Sequence, residues 1–478
     1  MYGVDLLSID GDRLIDIKGV ASDSRKTKDG FLFIAVKGTI QDGHDFIGEA
    51  ISGGAVAVIC EKLPAKKLPS AIYITSTNSR KALGLVSSNF HGNPSKKLKL
   101  VGITGTNGKT TVATLLYELF QQLHYKAGLI STVENKINEI ILPTRYTTPD
   151  PITLHELLAE MVVMGCTHCF MEVSSHALSQ DRVKGIHFQG AVFTNISHDH
   201  LDYHVTFDDY ITAKKILFDE LKSHAFALTN IDDKRGRVML QNTKARKYSY
   251  SLKSVSEFKA KILTDSIAGL QLDIDDVEVW FHLIGKFNAY NLLAVYSVAV
   301  LLEEEPKEVL GIMSGLLPVR GRFEKIINHG GILAIVDYAH TPDALGNVIN
   351  TINGFRTKNE KFITVIGCGG DRDKDKRPVM GRIATKNTDK VIFTSDNPRT
   401  ENPEMIIDDI MKGVPVSLSK NVMRVTDRKE AIRVACNLAS KGDIILVAGK
   451  GHEVYQEIDG NRIHFDDKEY LEDFLSVQ

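Results

Sequence analysis

Short apolar runs alternate with segments of helical spacing along most of the chain. Residues 98–103, 191–194 and 225–229 have the mostly apolar character of buried strands, whereas the apolar positions of 112–120 recur with the period of a helix. Alternation of this kind is typical of a mostly parallel sheet with helices on its faces. The pattern therefore predicts an α/β fold.

Two breaks in this pattern predict three domains. Residues 91–97 combine glycine, proline and lysine, which interrupt regular structure and keep a linker solvated, and the alternation restarts at 317–322. We predict a small N-terminal α/β domain at 1–97, a central domain with a mostly parallel sheet at 98–316 and a Rossmann-like α/β domain at 317–478. Further predicted elements are a helix at 79–90 and strands at 332–336, 362–366, 391–394 and 444–447.

A glycine-rich turn joins the predicted strand at 98–103 to the predicted helix at 112–120. Its sequence is Gly102-Ile-Thr-Gly-Thr-Asn-Gly-Lys-Thr-Thr111. Glycines let backbone N–H groups approach phosphate oxygens, and the N-terminus of a helix adds partial positive charge. Lys109 supplies a full charge, and Thr110 offers a hydroxyl to a magnesium ion. The turn predicts a phosphate-binding loop, although its spacing is one residue longer than the common motif and a tight turn without a ligand is the alternative.

Composition and charge exclude several classes of protein. The net charge is −2, from 58 basic and 60 acidic residues, so no overall field favours nucleic acid or an anionic membrane. The chain has no signal-like N-terminus and no run of about 18 apolar residues that could cross a bilayer. Five scattered cysteines fit reduced thiols. We therefore expect a cytoplasmic monomer that binds small molecules, and we predict that the CxxC sequence at 166–169 packs at a strand entry rather than binding metal.

Residues 172–204 are rich in groups that bind metals and anions. They contain Glu172-Val-Ser-Ser-His176 and Asn195-Ile-Ser-His-Asp-His-Leu-Asp-Tyr-His204. The histidines leave a zinc site open, and any single histidine could be structural. Carboxylates beside a phosphate-binding loop suit magnesium better, because magnesium takes oxygen ligands. We predict magnesium.

Seven motifs, in this order and over essentially the whole chain, resemble those of the Mur ligases, which are ATP-dependent amide-forming enzymes of peptidoglycan precursor synthesis. The motifs are Gly105-Thr-Asn-Gly-Lys-Thr-Thr111, Glu172-Val-Ser-Ser-His176, Asn195 to His200, Gly285-Lys-Phe-Asn-Ala-Tyr-Asn291, Gly321-Arg-Phe-Glu324, Asp337-Tyr-Ala-His340 and Gly449-Lys-Gly-His-Glu453. Within the family, three more motifs resemble the enzyme that adds the third amino acid to UDP-N-acetylmuramoyl-L-alanyl-D-glutamate: Asp23-Ser-Arg25, Thr147-Thr-Pro-Asp150 and Asp396-Asn-Pro-Arg399.

The resemblance implies that the γ-phosphoryl of ATP moves to a substrate carboxylate and that an amine attacks the acyl phosphate. It implies ATP contacts at Gly105, Thr106, Asn107, Gly108, Lys109, Thr110, Thr111, Asn288, Asn291, Arg322 and Asp337. Magnesium would be held by Thr110, Glu172, His200 and a carbamylated lysine that maps to Lys214, and the catalytic residues would be Lys109, Glu172, His200 and Lys214. Lys215 is the rival for carbamylation, and a solvated helix face for both lysines is the alternative.

The resemblance also implies three substrate regions, beginning with UDP in the N-terminal domain. Contacts with the UDP-muramoyl dipeptide map to Ser24, Thr147, Thr148, Ser174, Gln180 and Arg182, and contacts with diaminopimelate map to Arg372, Asp396, Asn397, Pro398, Arg399, Gly449 and Glu453. Lysine-adding members carry a small residue where Arg399 stands. A guanidinium grips a carboxylate, which meso-diaminopimelate has and L-lysine lacks at its far end. We therefore predict addition of diaminopimelate, with a surface-loop role for Arg399 as the alternative.

Other functions remain open at this point. A lysine-adding or otherwise paralogous Mur ligase would have much the same sequence. Folylpoly-γ-glutamate synthetase shares the ligase architecture but lacks a separate UDP-binding domain, so residues 1–97 speak against it. A non-catalytic nucleotide-binding regulator would have no need of Lys109, Glu172 and Lys214 together.

Overall fold

The computed structural model describes residues 2–12, 14–38, 41–144, 146–199, 203–328 and 330–476. Mixed α/β structure runs through all of it, and separate sheets form in the N-terminal, central and C-terminal parts of the chain. The predicted three-domain α/β fold is confirmed.

The N-terminal domain has a sheet with two helices against it in the described residues. Its elements are β1 (Leu6–Asp10), β2 (Gly19–Ala21), β3 (Phe31–Ile34), α1 (Ile47–Ser52), β4 (Ala55–Cys60), β5 (Ile72–Ser76) and α2 (Ser79–Phe90). The strand order is β1-β5-β4-β3-β2, and only the β1–β5 pair is antiparallel among these described strands. Helix α2 has the predicted bounds, because the side chain of Asn78 caps it by accepting from the Lys81 N–H.

The central domain begins with the predicted strand, turn and helix. Its strands are β6 (Lys99–Thr104), β7 (Ala127–Ile130), β8 (Asn135–Ile137), β9 (Ile140–Leu142), β10 (His168–Glu172), β11 (Gly190–Phe193), β12 (Phe226–Asn230), β13 (Arg246–Ser251), β14 (Phe258–Ser266), β15 (Gly269–Ile274) and β16 (Val277–Phe281). Its helices are α3 (Lys109–Gln122), α4 (Pro151–Val163), α5 (Ser175–Ser179), α6 (Phe207–Asp219), α7 (Gly236–Met239), α8 (Lys286–Leu301) and α9 (Pro306–Ser314).

The central sheet is parallel in its middle and antiparallel at both edges. The strand order is β16-β15-β14-β13-β12-β11-β6-β10-β7-β8-β9, with parallel pairing from β14 through to β7. Strands β6, β10 and β11 are buried nearly throughout, and hydrophobic cores lie on both faces of the sheet. The carboxyl ends of these strands therefore meet at one edge, where ligands bind in open α/β sheets.

The C-terminal domain repeats the alternation of strands and helices. Its elements are β17 (Glu324–Ile327), β18 (Leu333–Asp337), α10 (Pro342–Phe355), β19 (Phe362–Ile366), α11 (Lys376–Asn387), β20 (Lys390–Phe393), α12 (Pro403–Met411), β21 (Val422–Arg424), α13 (Arg428–Leu438), β22 (Ile444–Ala448), β23 (Tyr455–Ile458), β24 (Asn461–His464) and α14 (Asp467–Ser476). The main sheet has the order β17-β18-β22-β19-β20-β21, and β23 and β24 form a hairpin. Asp337, Ala448 and Ile366 lie side by side, so the carboxyl ends of β18, β22 and β19 are level.

Packing accounts for the cysteines. All five thiols are buried, and Cys166 and Cys169 lie in a core cluster of the central domain rather than in a disulfide. The CxxC sequence therefore has the packing role that we predicted. In the ranges that the structure describes, no helix is long and apolar enough to cross a membrane.

Candidate active site

The phosphate-binding loop, residues 105–111, leads from β6 into α3 and is held by the strand end of β11. Asn195 clamps it: its backbone carbonyl accepts from the Thr106 N–H at 2.8 Å, and its side-chain carbonyl accepts from the Asn107 N–H at 3.0 Å. Thr194 adds a hydroxyl bond of 2.6 Å to the Asn107 carbonyl. These bonds fix the loop in one conformation.

Two glycines make this close approach possible. Gly105 has a φ of +154°, and a Cβ there would lie 1.9 Å from the Thr194 hydroxyl oxygen. Gly108 has a φ of +89°, and a Cβ there would lie 2.5 Å from the side-chain oxygen of Asn291. Side chains at these positions would clash as well as strain the backbone. Asn291 therefore faces the loop, in agreement with its predicted place beside the nucleotide.

Two lysine side chains converge on one backbone oxygen of this loop. Lys109 Nζ donates to the Gly105 carbonyl at 2.9 Å, and Lys214 Nζ, from α6, donates to the same oxygen at 2.8 Å. Lys214 is 1% exposed and lies over the ring of Tyr210. Burial first, and then the neighbouring charge of Lys109, lower the pKa of Lys214 well below its ordinary value. The surroundings thus favour an uncharged amine at Lys214.

The neighbouring lysine has a different environment. The Lys215 side chain is 12% exposed, and its Nζ forms an ion pair with Asp219 one turn along α6, at 2.7 Å. An i,i+4 pair of this kind is an ordinary surface contact. The structure therefore separates the two candidates for carbamylation, with Lys214 at the phosphate-binding loop and Lys215 away from it.

Glu172 ends β10 next to the phosphate-binding loop, with a fully buried carboxylate. Its two oxygens accept from the backbone N–H of Thr132 at 2.7 Å and from the hydroxyl of Thr132 at 3.1 Å. Both donors are neutral, and no ion pair to Glu172 forms among the described residues. His200, the other predicted ligand of this region, lies outside the described residues, and within the described ranges no three His, Cys, Asp or Glu side chains form a metal-binding group.

The predicted dipeptide contacts form a connected patch on the central domain. Arg182 donates to the side-chain carbonyl of Gln180 at 2.9 Å and to the backbone carbonyl of Thr148 at 3.0 Å. Thr148 in turn accepts from the Ser174 N–H, and Thr147 accepts from the Thr132 hydroxyl. This patch borders Glu172 through Thr132.

Ser24 lies apart from that patch, in a short 3-10 turn of the N-terminal domain that Asp23 caps. The charge of Lys26 in the same turn acts on Glu156 of α4, so the turn faces the central domain. Ser88 of α2 also donates to the Gly185 carbonyl, which joins the two domains directly.

The C-terminal domain reaches the phosphate-binding loop through two side chains. Arg322 Nη2 donates to the Thr110 hydroxyl at 3.0 Å, and Asn107 donates to the Asp343 carboxylate at 2.9 Å. Asp337 supports Arg322 from behind, because its carboxylate accepts from the N–H groups of Phe323 and Ala339. Burial raises the pKa of Asp337 to about 6, although Arg322 and the two N–H groups oppose the shift.

Asn288 differs in position from the other predicted ATP contacts. Its amide donates to the Ile284 carbonyl, and its oxygen accepts from Asn291 at 3.0 Å. Asn288 therefore lies behind Asn291 in α8 and orients it. Of the remaining predicted contacts, all but Gly105 line one large cleft: Thr106, Asn107, Gly108, Lys109, Thr110, Thr111, Asn291, Arg322 and Asp337.

The predicted diaminopimelate residues come together at the carboxyl edge of the C-terminal sheet. The loop at 367–372 and the loop at 396–401 touch: Arg399 Nη1 donates to the Gly370 carbonyl at 2.6 Å, and a Cβ on Gly370 would lie 1.9 Å from the Pro398 carbonyl. Asn397 donates to Glu453 at 2.8 Å, and a Cβ on Gly449 would lie 2.8 Å from an Asp396 oxygen. Arg372 lies on this edge and also lines the large cleft.

Sequence analysis missed the buried cations of this region, among them Arg377 and Lys450. Arg377 is fully buried and donates twice to Glu401, which also accepts from the Asp371 N–H, so it ties the 367–372 loop to the 396–401 loop. Lys450 is fully buried beside Asn397 and Glu453. The position of Lys450 between two glycines after a buried strand could have indicated a functional residue. Arg377 lies in a run of alternating charge, and nothing in the sequence indicated that it is buried.

The large cleft joins these parts. Its volume is about 1110 Å³, and it runs from the phosphate-binding loop past Glu172 and Arg182 to Arg322 and Arg372. Acidic and basic side chains thus line one space between the central and C-terminal domains. That space can hold a nucleotide tail and a second anionic molecule side by side.

Comparison with known proteins gives family matches along most of the chain. Residues 16–90 match the model described as the Mur ligase family, catalytic domain, residues 103–299 match the Mur ligase middle domain, and residues 321–451 match the Mur ligase, glutamate ligase domain.

Two curated relatives match from end to end. The protein of Cytophaga hutchinsonii is 55% identical over 478 residues, with 100% of this chain and 98% of the relative covered. The protein of Bacteroides fragilis is 52% identical over 477 residues, with the same coverage. Both are named UDP-N-acetylmuramoyl-L-alanyl-D-glutamate--2,6-diaminopimelate ligase.

Solved structures agree in fold. A structure with the same ligase name has a TM-score of 0.69 at 34% identity and covers 96% of this chain and 95% of its own. Folylpolyglutamate synthase of Mycobacterium tuberculosis has a TM-score of 0.62 at 18% identity and covers 77% of this chain and 92% of its own. The likeness to the synthase is one of fold alone.

Proposed function

This chain belongs to the Mur ligase family, and from that premise we propose that it is the ATP-dependent ligase that adds meso-diaminopimelate to UDP-N-acetylmuramoyl-L-alanyl-D-glutamate. Full-length relatives at 52% to 55% identity carry this activity in their names. The observation that carries the proposal is the single cleft in which the phosphate-binding loop, Arg182 and Arg372 meet. Nucleotide, acceptor acid and incoming amino acid each have a matching group there.

The reaction makes demands that this cleft can meet. The γ-phosphoryl group of ATP passes to the acceptor carboxylate and leaves ADP; the amine then attacks the acyl phosphate, forms the C–N bond and releases phosphate and a proton. Two anions must come into contact, so cations have to lie between them. In our proposal Lys109 neutralises the nucleotide phosphates, Arg322 steadies them from the C-terminal domain, and Arg182 orients the acceptor carboxylate.

Magnesium fits the donors at the start of α3 and the end of β10. The Thr110 hydroxyl and the Glu172 carboxylate are hard oxygen ligands. Glu172 is also a buried carboxylate with neutral hydrogen-bond partners, which leaves its charge for a cation to balance. When bound, magnesium supplies positive charge beside the phosphates and the acceptor carboxylate. We propose Thr110 and Glu172 as its ligands, and His200 stays a prediction.

We further propose that Lys214 carries a carbamate. The neutral amine, which this site favours, adds to the carbon of CO₂ and loses a proton to solvent, so that an amine becomes an anionic carbamate. The change removes the conflict with Lys109 at the Gly105 carbonyl and creates an attractive pair. A carbamate also provides oxygen ligands for magnesium, which an ammonium group cannot.

The incoming amino acid is proposed to bind where the 367–372 and 396–401 loops meet. Arg399 Nη1 and Arg372 Cγ both lie near Gly369, and we propose that the two guanidinium groups receive one carboxylate of the amino acid. Asp396 and Glu453 supply carboxylates for its ammonium groups. Diaminopimelate has both kinds of group at its far end, whereas L-lysine has only an ammonium group, so this subsite favours diaminopimelate.

Product mass tests the function directly. The purified protein is incubated with ATP, magnesium, UDP-muramoyl dipeptide and an equal mixture of diaminopimelate and L-lysine. We expect ADP and the diaminopimelate-containing tripeptide as the main product. ADP release with a reduced folate and glutamate instead would favour the folylpolyglutamate synthetase alternative, and a lysine product would identify a lysine-adding paralogue. Binding of ATP with no product from any acceptor would favour a regulator.

Asp337 predicts a pH dependence of nucleotide binding. Its carboxylate holds the turn that carries Arg322, and its pKa is raised to about 6, so the holding charge is lost as the pH falls through that value. We expect the affinity for ADP, measured by titration calorimetry, to fall about tenfold between pH 7 and pH 5. Asp337→Asn removes the titrating group, so its affinity for ADP should change with pH only as far as the nucleotide itself titrates. Equal slopes for the two proteins would contradict this role.

Two further proposals concern the state of the molecule. We propose that the protein is cytoplasmic, because its buried thiols fit the reducing environment of the cytoplasm. The cleft is built from one chain, which fits a monomer, and sedimentation of the purified protein with its substrates tests this.

A further inference from the structure

Lys450 lies in a tight turn whose backbone conformation is constrained on both sides. It is fully buried between Gly449, with a φ of +115°, and Gly451, with a φ of +53°. A Cβ on Gly451 would lie 2.6 Å from the Gly321 carbonyl oxygen. The turn after β22 therefore delivers one buried lysine side chain to the carboxyl edge of the C-terminal sheet.

The ammonium group of Lys450 connects two residues of the amino-acid subsite. Its Nζ donates to the side-chain oxygen of Asn397 at 3.1 Å and to Glu453 Oε2 at 3.0 Å. Asn397 completes the triangle by donating to the same Glu453 oxygen at 2.8 Å, and its own oxygen also accepts from the Glu457 N–H. Lys450 thus fixes which way the amide of Asn397 points.

The charges around Lys450 show what it balances. Asp396 is buried and the Glu453 side chain is 15% exposed, and the other buried cation nearby, Arg428, is already paired with Asp467 at 2.7 Å in an ion pair that is fully buried. Two carboxylates without a cation would repel each other in this setting, and one of them would take up a proton. Lys450 supplies that cation from inside the protein.

Lys450 does not lie where substrate can touch it. Its side chain has no exposed surface, and it packs against the ring of Tyr455 at 5.4 Å. Its effect on a bound amino acid must therefore pass through Asn397 and Glu453.

We propose that Lys450 is a positioning residue for the incoming amino acid: it holds Glu453 charged and hydrogen-bonded to Asn397, so that the Glu453 carboxylate can receive an ammonium group of the substrate. This inference rests on the proposed function, since it assigns a role within that amino-acid subsite. It explains why a lysine, which would oppose a cationic ligand if exposed, is placed beneath a surface that binds one.

The proposal implies a change in the titration of Glu453. Its pKa is already raised by burial, with Asp396 adding to the shift and Lys450 opposing it. The groups that face Glu453 and Lys450 are Asp396, Arg428, Tyr338, Tyr455 and His452. Removal of the Lys450 charge takes away a cation that lowers the pKa of Glu453 and leaves the raising effects of burial and Asp396, so the pKa of Glu453 would rise further.

The test compares steady-state kinetics of the full-length enzyme and Lys450→Met. We expect the KM for diaminopimelate to rise about 30-fold, with kcat and the KM values for ATP and the UDP-muramoyl dipeptide within about threefold of wild type. The ratio of variant to wild-type KM should shrink between pH 7 and pH 9, because Glu453 regains its charge; taking the ratio cancels titration of the substrate. Lys450→Gln, which keeps a donor without the charge, is the second variant should Lys450→Met not fold.

A double-mutant cycle separates positioning from simple loss of structure. In a Glu453→Gln background, Lys450→Met should raise the KM for diaminopimelate by less than threefold, because its partner charge is gone. Arg356→Met is the matched control: Arg356 is a buried cation paired with Asp389 at the opposite, amino edge of the same sheet, and its loss should leave this KM unchanged.

Three results would overturn the proposal. They are equal increases in the KM values of all three substrates, a KM ratio that does not change with pH, or an increase in the KM for diaminopimelate in the double variant that equals the product of the increases in Lys450→Met and Glu453→Gln. Absence of any diaminopimelate product from the wild-type enzyme is a different result. It would overturn the proposed function itself.

Discussion

Replacement of Lys214 by alanine is expected to reduce kcat by about 10³-fold while the protein still folds and binds ATP. Lys214 and Lys109 donate to the same carbonyl oxygen, and burial favours the neutral amine that reacts with CO₂. Alanine removes the anionic oxygens that the carbamate would place beside the nucleotide. Acetate diffusing into the space left should restore part of the activity, because it supplies a carboxylate of similar size. ADP release, with and without acetate, is the measurement.

Lys215→Ala provides the matched control for this prediction. It removes a lysine from the same helix turn but breaks only a surface pair with Asp219, so activity should stay within about twofold of wild type. The wild-type enzyme should also lose activity in CO₂-depleted buffer and recover when bicarbonate is added. Near-normal activity of Lys214→Ala, or a loss that acetate leaves untouched in a folded protein, would reject the carbamate.

Replacement of Arg399 by alanine should lower kcat/KM for diaminopimelate by about 10³- to 10⁴-fold and leave any use of L-lysine nearly unchanged. Arg399 is 20% exposed; its guanidinium donates to the Gly370 carbonyl, and its Nε lies 3.8 Å from a carboxylate oxygen of Glu457. In our proposal the carboxylate meets the two planar cations of Arg399 and Arg372, and truncation leaves that charge without its partner. Competition between the two amino acids, read by product mass, measures the change in preference directly.

Arg399→Lys is the informative companion. It keeps the charge but loses the paired N–H geometry, so its defect should lie between those of wild type and Arg399→Ala. The bond to Gly370 also stabilises the contact between the two loops, and its loss would affect every amino acid alike. An equal fall for diaminopimelate and L-lysine would therefore show that Arg399 acts on loop structure and not on recognition.

The period of apolar residues was enough to predict the central strands and helices, because their burial on both faces leaves a strong pattern. Helix α2 and strand β19 have their predicted bounds. The antiparallel strands β14 to β16 were missed. Strands β14 and β16 have several exposed side chains, whereas β15 has none, and pairing across the sheet edge joins the three.

Local motifs predicted the glycine-rich turn, because Gly105 and Gly108 stand where the backbone has a positive φ. Sequence spacing could not distinguish Lys214 from Lys215, since which lysine faces the phosphate-binding loop depends on how α6 packs. The resemblance implies a nucleotide contact at Asn288, and in the structure its amide donates to the Ile284 carbonyl and its oxygen accepts from Asn291. Arg377 shows the same limit, because the sequence alone does not distinguish a buried arginine from an exposed one.

The burial of every thiol makes the protein convenient to label. Modification by maleimide dyes needs an accessible thiolate, and burial raises the pKa of Cys60, Cys166, Cys169, Cys368 and Cys436. New cysteines at the exposed residues Val163 and Val416 would then be the reactive ones, on the central and C-terminal domains respectively. A fluorophore pair at these two sites would follow the distance between the domains during turnover, without any native residue having to be removed first.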